Sequence, residues 1–225
     1  MRVVTWNIQT ARPNPDGPAD VALAVDCLRS LDADVYALQE LDRARERTAG
    51  VDQPSALAAG LGGTLAFSPT VTDEGHYGIG VVSRVGVRRS YETGLSGTRE
   101  PRVLLVTEVT AADGVTWTIA GTHLSRRRSF ATSQLERALA VLLEHPEPRV
   151  LMGDLNLPRR MVSPLAGAAG FTVVPGPATH STRRRRPTDR IDHILVSGAS
   201  VDGSDVHRFP VSDHCAVSAT LTATP

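Results

Sequence analysis

The sequence predicts an α+β fold in which β-sheets are covered by helices. Strand-like runs outnumber helix-like runs along the 225 residues. Two β-rich runs, Arg102–Thr110 and Val115–His123, flank a short segment that contains Asp113-Gly114, a pattern typical of an antiparallel hairpin. Helix-like runs lie between strands without the strict alternation of a doubly wound parallel sheet. Because no repeat or long linker divides the chain, we expect one domain over residues 1–225.

Hydrophobic periodicity locates the individual elements. Strands are predicted where short apolar, β-branched runs are bounded by turn residues: Val3–Asn7, Asp34–Glu40, Gly78–Ser83, Arg102–Thr110, Val115–His123, Arg149–Asn156, Arg190–Ser197 and His214–Leu221. Helices are predicted at Ala19–Leu31, Pro54–Leu61, Phe130–His145 and Pro164–Ala169. The third helix is the clearest, because Leu135, Ala138 and Leu142 follow helical spacing.

Composition restricts the class of protein. Apolar residues make up 41% of the chain, which is typical of a globular protein and not of a disordered one. No apolar run approaches the roughly 20 residues that a membrane-spanning helix needs. The N-terminus begins with strand-like sequence instead of an apolar signal core. We therefore expect a cytoplasmic monomer without a membrane span.

The two cysteines, Cys27 and Cys215, are too few for a structural zinc site, which needs four ligands and usually several cysteines. A disulfide between them is disfavoured in a reducing compartment. Cys27 falls in a helix-like stretch and Cys215 begins a strand-like one. Both are predicted to be small core residues.

Polar side chains occupy the ends of several apolar strands. A single such residue is more often a turn or cap residue, but the repetition across many strands indicates that the side chains converge. The candidates are Asn7, Glu40, His123, Asp154, Asn156, Asp192, Asp213 and His214. Carboxylate and amide oxygens suit Mg²⁺, Mn²⁺ or Ca²⁺, whereas the set lacks the sulfur and clustered histidines of a typical zinc centre.

Seven short motifs carry a family resemblance. They are Thr5-Trp6-Asn7-Ile8, Leu38-Gln39-Glu40, Tyr77-Gly78, Gly121-Thr122-His123-Leu124, Gly153-Asp154-Leu155-Asn156, Arg190-Ile191-Asp192-His193-Ile194 and Ser212-Asp213-His214. In this order they resemble the signature motifs of the endonuclease/exonuclease/phosphatase superfamily. That superfamily includes DNase I-like nucleases, abasic-site endonucleases, sphingomyelinases and inositol polyphosphate 5-phosphatases. The resemblance extends from residue 3 to residue 214.

The resemblance implies a fold and a metal site. The fold is a four-layer αββα sandwich of the DNase I type, with two mainly antiparallel sheets packed face to face, helices outside and the active site at one mouth. Glu40 resembles the main metal-binding carboxylate, with Asn7 and Asp213 near it. The implied cofactor is Mg²⁺, with Mn²⁺ or Ca²⁺ as alternatives.

The resemblance also implies catalytic roles. His214 resembles the catalytic histidine and Asp192 its carboxylate partner. Asp154 and Asn156 resemble the pair that orients the attacking water. These roles agree with the chemistry of phosphoester hydrolysis, in which a carboxylate positions the water and a charged imidazole donates to a phosphoryl oxygen.

Phosphate contact is assigned by the same resemblance to His123 and Tyr77. Family members often carry Asn after Tyr-Gly, and Ile79 stands there in this chain. Some nucleases pair the first histidine with a glutamate near the tyrosine, and Glu74 lies close in sequence.

Arginine runs suggest the substrate. All 24 basic residues are arginine, and the formal net charge is zero. Each of three runs lies near a motif, so we expect them to rim the site and contact substrate: Arg126, Arg127 and Arg128; Arg159 and Arg160; and Arg183, Arg184, Arg185 and Arg186. A single run is ordinarily a solvated loop. A shared rim favours a phosphorylated polyanion.

These observations favour a metal-dependent phosphodiesterase that cleaves DNA or RNA. The neutral net charge and the 4% aromatic content count against a dedicated nuclease. The alternative is a phosphatase or phosphodiesterase for a small phosphorylated metabolite or a lipid headgroup. A non-catalytic binding module ranks last, because Glu40, Asp154, Asp192 and His214 are all present.

Overall fold

The computed structural model describes residues 1–13, 17–96, 100–180 and 186–224. The strands in these ranges are β1 (Arg2–Asn7), β2 (Val35–Arg43), β3 (Thr64–Val71), β4 (His76–Ser83), β5 (Gly86–Leu95), β6 (Arg102–Thr110), β7 (Thr116–His123), β8 (Arg149–Asp154), β9 (Thr172–Val173), β10 (Asp192–Ser197), β11 (Ala199–His207) and β12 (Ala216–Ala223). The α-helices are α1 (Val21–Arg29), α2 (Gln53–Leu61), α3 (Arg128–Leu143) and α4 (Arg159–Ala168). Short 3₁₀ turns occupy Gln9–Ala11 and Glu46–Thr48.

The strands form two six-stranded sheets with the orders β11-β12-β1-β2-β4-β3 and β5-β6-β7-β8-β10-β9. Each sheet contains one parallel pair, β1–β2 in the first and β7–β8 in the second. All other neighbours are antiparallel, including the β6–β7 hairpin. The predicted hairpin and the mainly antiparallel sheets are therefore confirmed.

Three hydrophobic clusters separate four layers. Val4 and Trp6 of β1 pack with Leu28 of α1 and Leu57 of α2, outside the first sheet. Val3, which precedes Val4 in the alternation of the strand, faces the second sheet and belongs to the cluster between the sheets. A third cluster joins the second sheet to α3 and α4. The architecture is the αββα sandwich.

The strands that the sequence analysis missed are β3, β5, β9 and β11. All four lie at or near the edges of the sheets. β5 and β11 have mostly exposed or half-buried residues, because an edge strand has only one neighbour and its outer face meets solvent. Their apolar periodicity is accordingly weak. The fourth helix was predicted to begin at Pro164 but begins at Arg159, with the proline in its interior.

The two parallel pairs bring the polar strand ends together. The carboxyl ends of β1 and β2 lie at one end of the first sheet, and those of β7 and β8 lie at one end of the second. β10 starts beside the end of β8, with Asp192 opposite Asp154.

Cys27 and Cys215 are both buried free thiols. In the described part of the chain, no helix combines the length and hydrophobicity needed to cross a bilayer.

Candidate active site

A cleft of about 720 Å³ opens at the end of the sandwich where these strand ends meet. It is lined mainly by charged and polar side chains drawn from both sheets. The lining residues are Gln9, Glu40, Tyr77, Glu100, Arg102, His123, Arg126, Arg128, Asp154, Asn156, Pro158, Arg160, His180, Asp189, Ile191, Asp213 and His214. Asn7 and Asp192 are fully buried and lie behind this surface, in contact with lining residues.

Glu40 reaches the cleft through a bulge in β2. The register between β2 and β4 shifts between Leu38 and Leu41, and Glu40 itself adopts a left-handed backbone with φ 60°. Such a conformation is costly for a residue with a side chain and typically persists where the surrounding structure requires it. The bulge interrupts the alternation of side chains along β2 at Glu40, and the Glu40 carboxylate lines the cleft.

Asn7 holds two carboxylates together. Its Nδ2 donates to Glu40 Oε1 at 2.9 Å and to Asp154 Oδ2 at 3.2 Å, and its Oδ1 accepts from the backbone N–H of Gln9 at 3.0 Å. The bond from Gln9 fixes the orientation of the amide, so its oxygen points away from the acids. In this arrangement Asn7 positions the two carboxylates, and its expected role as a metal ligand stays a prediction.

Glu40 and Asp213 have the chemistry of a divalent-cation site. Both carboxylates line the cleft. Within the described ranges Glu40 makes no ion pair, and burial raises its pKa despite the opposing hydrogen bond from Asn7. A carboxylate that is largely desolvated and makes no direct ion pair gains from a bound metal ion. The residues present thus fit a divalent metal held by oxygen ligands.

Asp154 and Asn156 are placed by a tight backbone approach. A Cβ at Gly153 would lie 1.9 Å from the Thr122 carbonyl oxygen, so only glycine allows β8 to run this close to β7. Asp154 Oδ1 accepts from the backbone N–H of Asn156 at 3.0 Å. The Asn156 side chain donates to the Leu124 carbonyl at 2.9 Å, which holds this turn to the segment that follows β7.

His214 and Asp192 form a buried pair. His214 Nδ1 lies 3.0 Å from each carboxylate oxygen of Asp192, and the Thr179 hydroxyl donates to Asp192 Oδ2 at 2.6 Å. Burial alone lowers the pKa of His214, but the charges of Asp192, Asp154 and Asp213 outweigh it and raise the pKa to about 10. The imidazole is therefore charged at neutral pH, with Nε2 left to face the cleft.

The Asp154 carboxylate lies close to two histidines of the site. Its Oδ2 lies 3.3 Å from His123 Nε2 and 3.8 Å from His214 Nε2. Burial, reinforced by the charge of Asp192, raises the pKa of Asp154 to about 7. Burial and the charge of Arg102 hold the pKa of His123 well below its ordinary value, so this imidazole is neutral.

Tyr77 lines the same cleft as His123, and burial raises its pKa. Arg47 lies over its ring at 5.2 Å and is itself held by two 2.7 Å bonds to Asp42. Glu74 is exposed and does not line the cleft, so it is not the partner of His123. Ile79 is buried in the core between the sheets.

The arginine runs contribute unequally. Arg126, Arg128 and Arg160 are exposed and line the cleft, as expected. The other described members of the runs, Arg127, Arg159 and Arg186, are absent from the lining. Arg127 lies over the Phe130 ring at 5.6 Å. A substrate role for these three stays a prediction. Successive residues of a turn or helix point in different directions, so a run cannot face one cleft as a whole. Arg183, Arg184 and Arg185 lie outside the described residues.

Among the lining residues that were not predicted from the sequence, His180 and Arg102 are the two with the clearest link to the site. The His180 ring lies 4.3 Å from the His214 ring, and His180 Nε2 lies 3.7 Å from Asp213 Oδ2. Arg102 is a buried arginine at the start of β6. Nothing in the sequence marks His180. Arg102 could have been noticed as a charged residue at the end of a strongly apolar strand.

The sandwich and its acid- and histidine-lined mouth define a class of phosphoester hydrolases. The chain belongs to the Endonuclease/Exonuclease/phosphatase family, whose model matches residues 4–214. Members of this family hydrolyse phosphoester bonds and are typically dependent on divalent metals.

Solved structures of the same fold include three instructive relatives. An endonuclease/exonuclease/phosphatase from Beutenbergia cavernae is 25% identical, with a TM-score of 0.82 over 99% of this chain and 71% of that one. A humanized zebrafish (D. rerio) TDP2 is 21% identical, with a TM-score of 0.76 over 99% of both chains. The human Nocturnin catalytic domain with a bound sulfate is 20% identical, with a TM-score of 0.76 over 100% of this chain and 94% of that one. Comparison with curated protein sequences gives no match.

Proposed function

We propose that the chain is a divalent-metal-dependent phosphodiesterase that cleaves DNA or RNA by in-line attack of water. The observation that carries this proposal is the convergence of Asp154 with the Asp192–His214 pair in one cleft. His214 Nε2 and Asp154 Oδ2 are 3.8 Å apart, so a proton donor and a proton acceptor face the same space. That separation of roles is what hydrolysis of an anionic ester by water requires.

The metal would be held by Glu40 and Asp213, with Asn7 keeping Glu40 in place. When bound, a divalent cation neutralises charge that develops on the phosphoryl oxygens. Mg²⁺ fits an oxygen-only donor set best, and Mn²⁺ accepts the same ligands.

The protein's own groups divide the remaining work. Asp154 positions the attacking water and takes its proton, and the backbone N–H of Asn156 fixes the rotamer of that carboxylate. His214 donates through Nε2 to a phosphoryl oxygen, while Asp192 holds the ring from the other side. No covalent intermediate is needed.

Nucleic acid is favoured as substrate because Arg126, Arg128 and Arg160 are exposed at the rim of the cleft. Exposed arginines beyond the catalytic residues can contact phosphates other than the scissile one. The TDP2 and Nocturnin structures share the fold.

A small phosphorylated metabolite or lipid headgroup is the second candidate. The observation in its favour is the size of the cleft, because about 720 Å³ lies within the roughly 300–1,000 Å³ range of small-molecule sites. The two substrates differ in salt response. Binding through several phosphates weakens steeply as salt rises, whereas a small-ligand site responds much less.

A metal-supplemented activity panel tests the proposal. It compares plasmid DNA, RNA, an abasic duplex, sphingomyelin, inositol phosphates and an aryl phosphodiester, each with wild type and the isosteric D154N variant. We expect hydrolysis of nucleic acid by wild type and a loss of at least about 100-fold in D154N. If only inositol phosphates or sphingomyelin are hydrolysed, the result would favour the second candidate function over the first. Equal activity of both proteins would show that the hydrolysis comes from a contaminant or another site.

A further inference from the structure

Arg102 is an arginine buried in the wall of the active-site cleft. It is the first residue of β6, and its side chain is only 7% exposed. It lines the cleft together with Tyr77 and His123. The other described arginines of the lining, Arg126, Arg128 and Arg160, are all exposed. Burial of a guanidinium is energetically costly unless its donors find acceptors. The buried position of Arg102 therefore requires a structural or functional explanation.

The guanidinium is only partly satisfied. Its Nη2 donates to Glu100 Oε2 at 3.1 Å, but its Nε is buried and has no hydrogen-bond partner among the described residues. A buried donor without an acceptor is destabilising. Arg190 also has a buried Nε without a partner in the described part of the chain, but its two terminal nitrogens donate to the Pro177 and Val174 carbonyls, and it does not line the cleft. Arg102, by contrast, lines the cleft.

The charged groups around Arg102 are arranged in a way that suits the binding of an anion. Glu100, its acidic partner, is 42% exposed and also lines the cleft, so the ion pair lies at the surface where a ligand would enter. His123, which lines the same cleft, is neutral because burial and the Arg102 charge lower its pKa. An arginine remains charged at every pH of interest and can bind two oxygens of a phosphate at once.

We propose that Arg102 is a substrate-binding residue that donates to the non-bridging oxygens of the substrate phosphate. When no phosphate is present, Glu100 accepts a hydrogen bond from Arg102 Nη2. Glu100 therefore competes with the incoming anion for the guanidinium. The inference rests on the proposed phosphoesterase function for the identity of the ligand. It adds a permanent positive charge to the phosphate site, beside the His214 imidazolium.

Phosphate binding without turnover is the first test. Isothermal titration calorimetry with inorganic phosphate compares wild type, R102M, R102K and the control R89M, with thermal melting to verify folding. Arg89 lies on the neighbouring strand β5, is paired with Glu108 and does not line the cleft. We expect R102M to bind phosphate about 10- to 100-fold more weakly, R102K to fall in between because it lacks the planar fork, and R89M to match wild type. Folded R102M that binds phosphate like wild type would overturn the proposal.

The E100Q variant is the second test and does not require a buried substitution. Removing the competing carboxylate should raise phosphate affinity several-fold if Arg102 faces the ligand. A purely structural ion pair predicts unchanged or weaker binding, and that result would also overturn the proposal.

Kinetics then separate this inference from the proposed function. On an aryl phosphodiester with Mg²⁺, R102M should lose about 10- to 100-fold in kcat/KM. If wild type is active and folded R102M keeps its kcat/KM, Arg102 is not the phosphate ligand and the function stands. If wild type has no hydrolytic activity and R102M binds phosphate more weakly than wild type, the hydrolytic function fails and the binding role of Arg102 stands.

Discussion

Nδ1 of His214 lies 3.0 Å from both carboxylate oxygens of Asp192, and neither side chain is more than 7% exposed. In D192N the amide can no longer balance the imidazolium charge, which lowers the pKa of His214 and favours the neutral ring. We expect kcat to fall by at least about 100-fold with little change in KM, measured by steady-state kinetics. The T179V variant, which removes the hydroxyl bound to Asp192, should lose less. A fully active D192N would remove His214 from the mechanism.

Metal dependence follows from the carboxylates of Glu40 and Asp213. EDTA should abolish hydrolysis, and excess Mg²⁺ should restore it, because the acids cannot neutralise phosphoryl charge themselves. E40Q keeps the side-chain shape but should lose at least about 100-fold in kcat/KM, and its residual activity should require more Mg²⁺. Turnover at the wild-type rate in EDTA would contradict the proposed chemistry.

The arginine rim provides an internal control. Arg126, Arg128 and Arg160 line the cleft, whereas Arg127 and Arg159 belong to the same runs and do not. The R126A/R128A/R160A variant should raise KM for DNA or RNA with kcat nearly unchanged, which is the pattern expected when binding is weakened equally in the ground and transition states. The slope of log KM against log salt should decrease by roughly 0.9 for each substrate phosphate that the variant no longer neutralises.

The matched R127A/R159A variant should behave like wild type on the same substrates, and a small aryl phosphodiester should be hydrolysed equally by all three proteins. If both arginine variants change KM for nucleic acid to the same degree, bulk charge explains the effect and the rim does not.

Stability should depend on pH through His193, which lies outside the cleft lining. Burial lowers the pKa of His193 from 6.5 to about 4, and its Nε2 lies 2.9 Å from the Leu157 carbonyl oxygen. Below pH 6.5 the unfolded chain binds a proton that the folded protein does not, so stability is lost as pH falls from 6.5 toward 4. Between about pH 7.5 and about pH 5 this contributes a loss of about 2 kcal/mol.

Urea unfolding at the two pH values measures this effect. The loss in H193Q should be smaller than in wild type by about the same 2 kcal/mol, because glutamine does not titrate. Identical pH dependence in the two proteins would rule out His193 as the source.

The central strands and most of the site could be predicted from sequence, because their residues combine apolar runs with chemically distinctive ends. Glu40 and Asp154 illustrate this, since each follows a buried apolar run. His180 could not be predicted in the same way. His180 reaches His214 only through an isolated bridge between distant segments. Which arginine of a run faces the cleft depends on local backbone geometry, which a run of identical letters does not specify.

The Asn7 amide joins Glu40 of the first sheet to Asp154 of the second, so the site spans the seam between the two halves of the sandwich. The distances between the side chains of the candidate site therefore depend on how the two sheets are aligned. A substitution deep between them, at Met152 for example, can slide one sheet by a fraction of an ångström and separate acid from imidazole while every strand stays paired. Such a protein would melt normally yet turn over slowly, and its activity would disappear on heating before its circular dichroism changes.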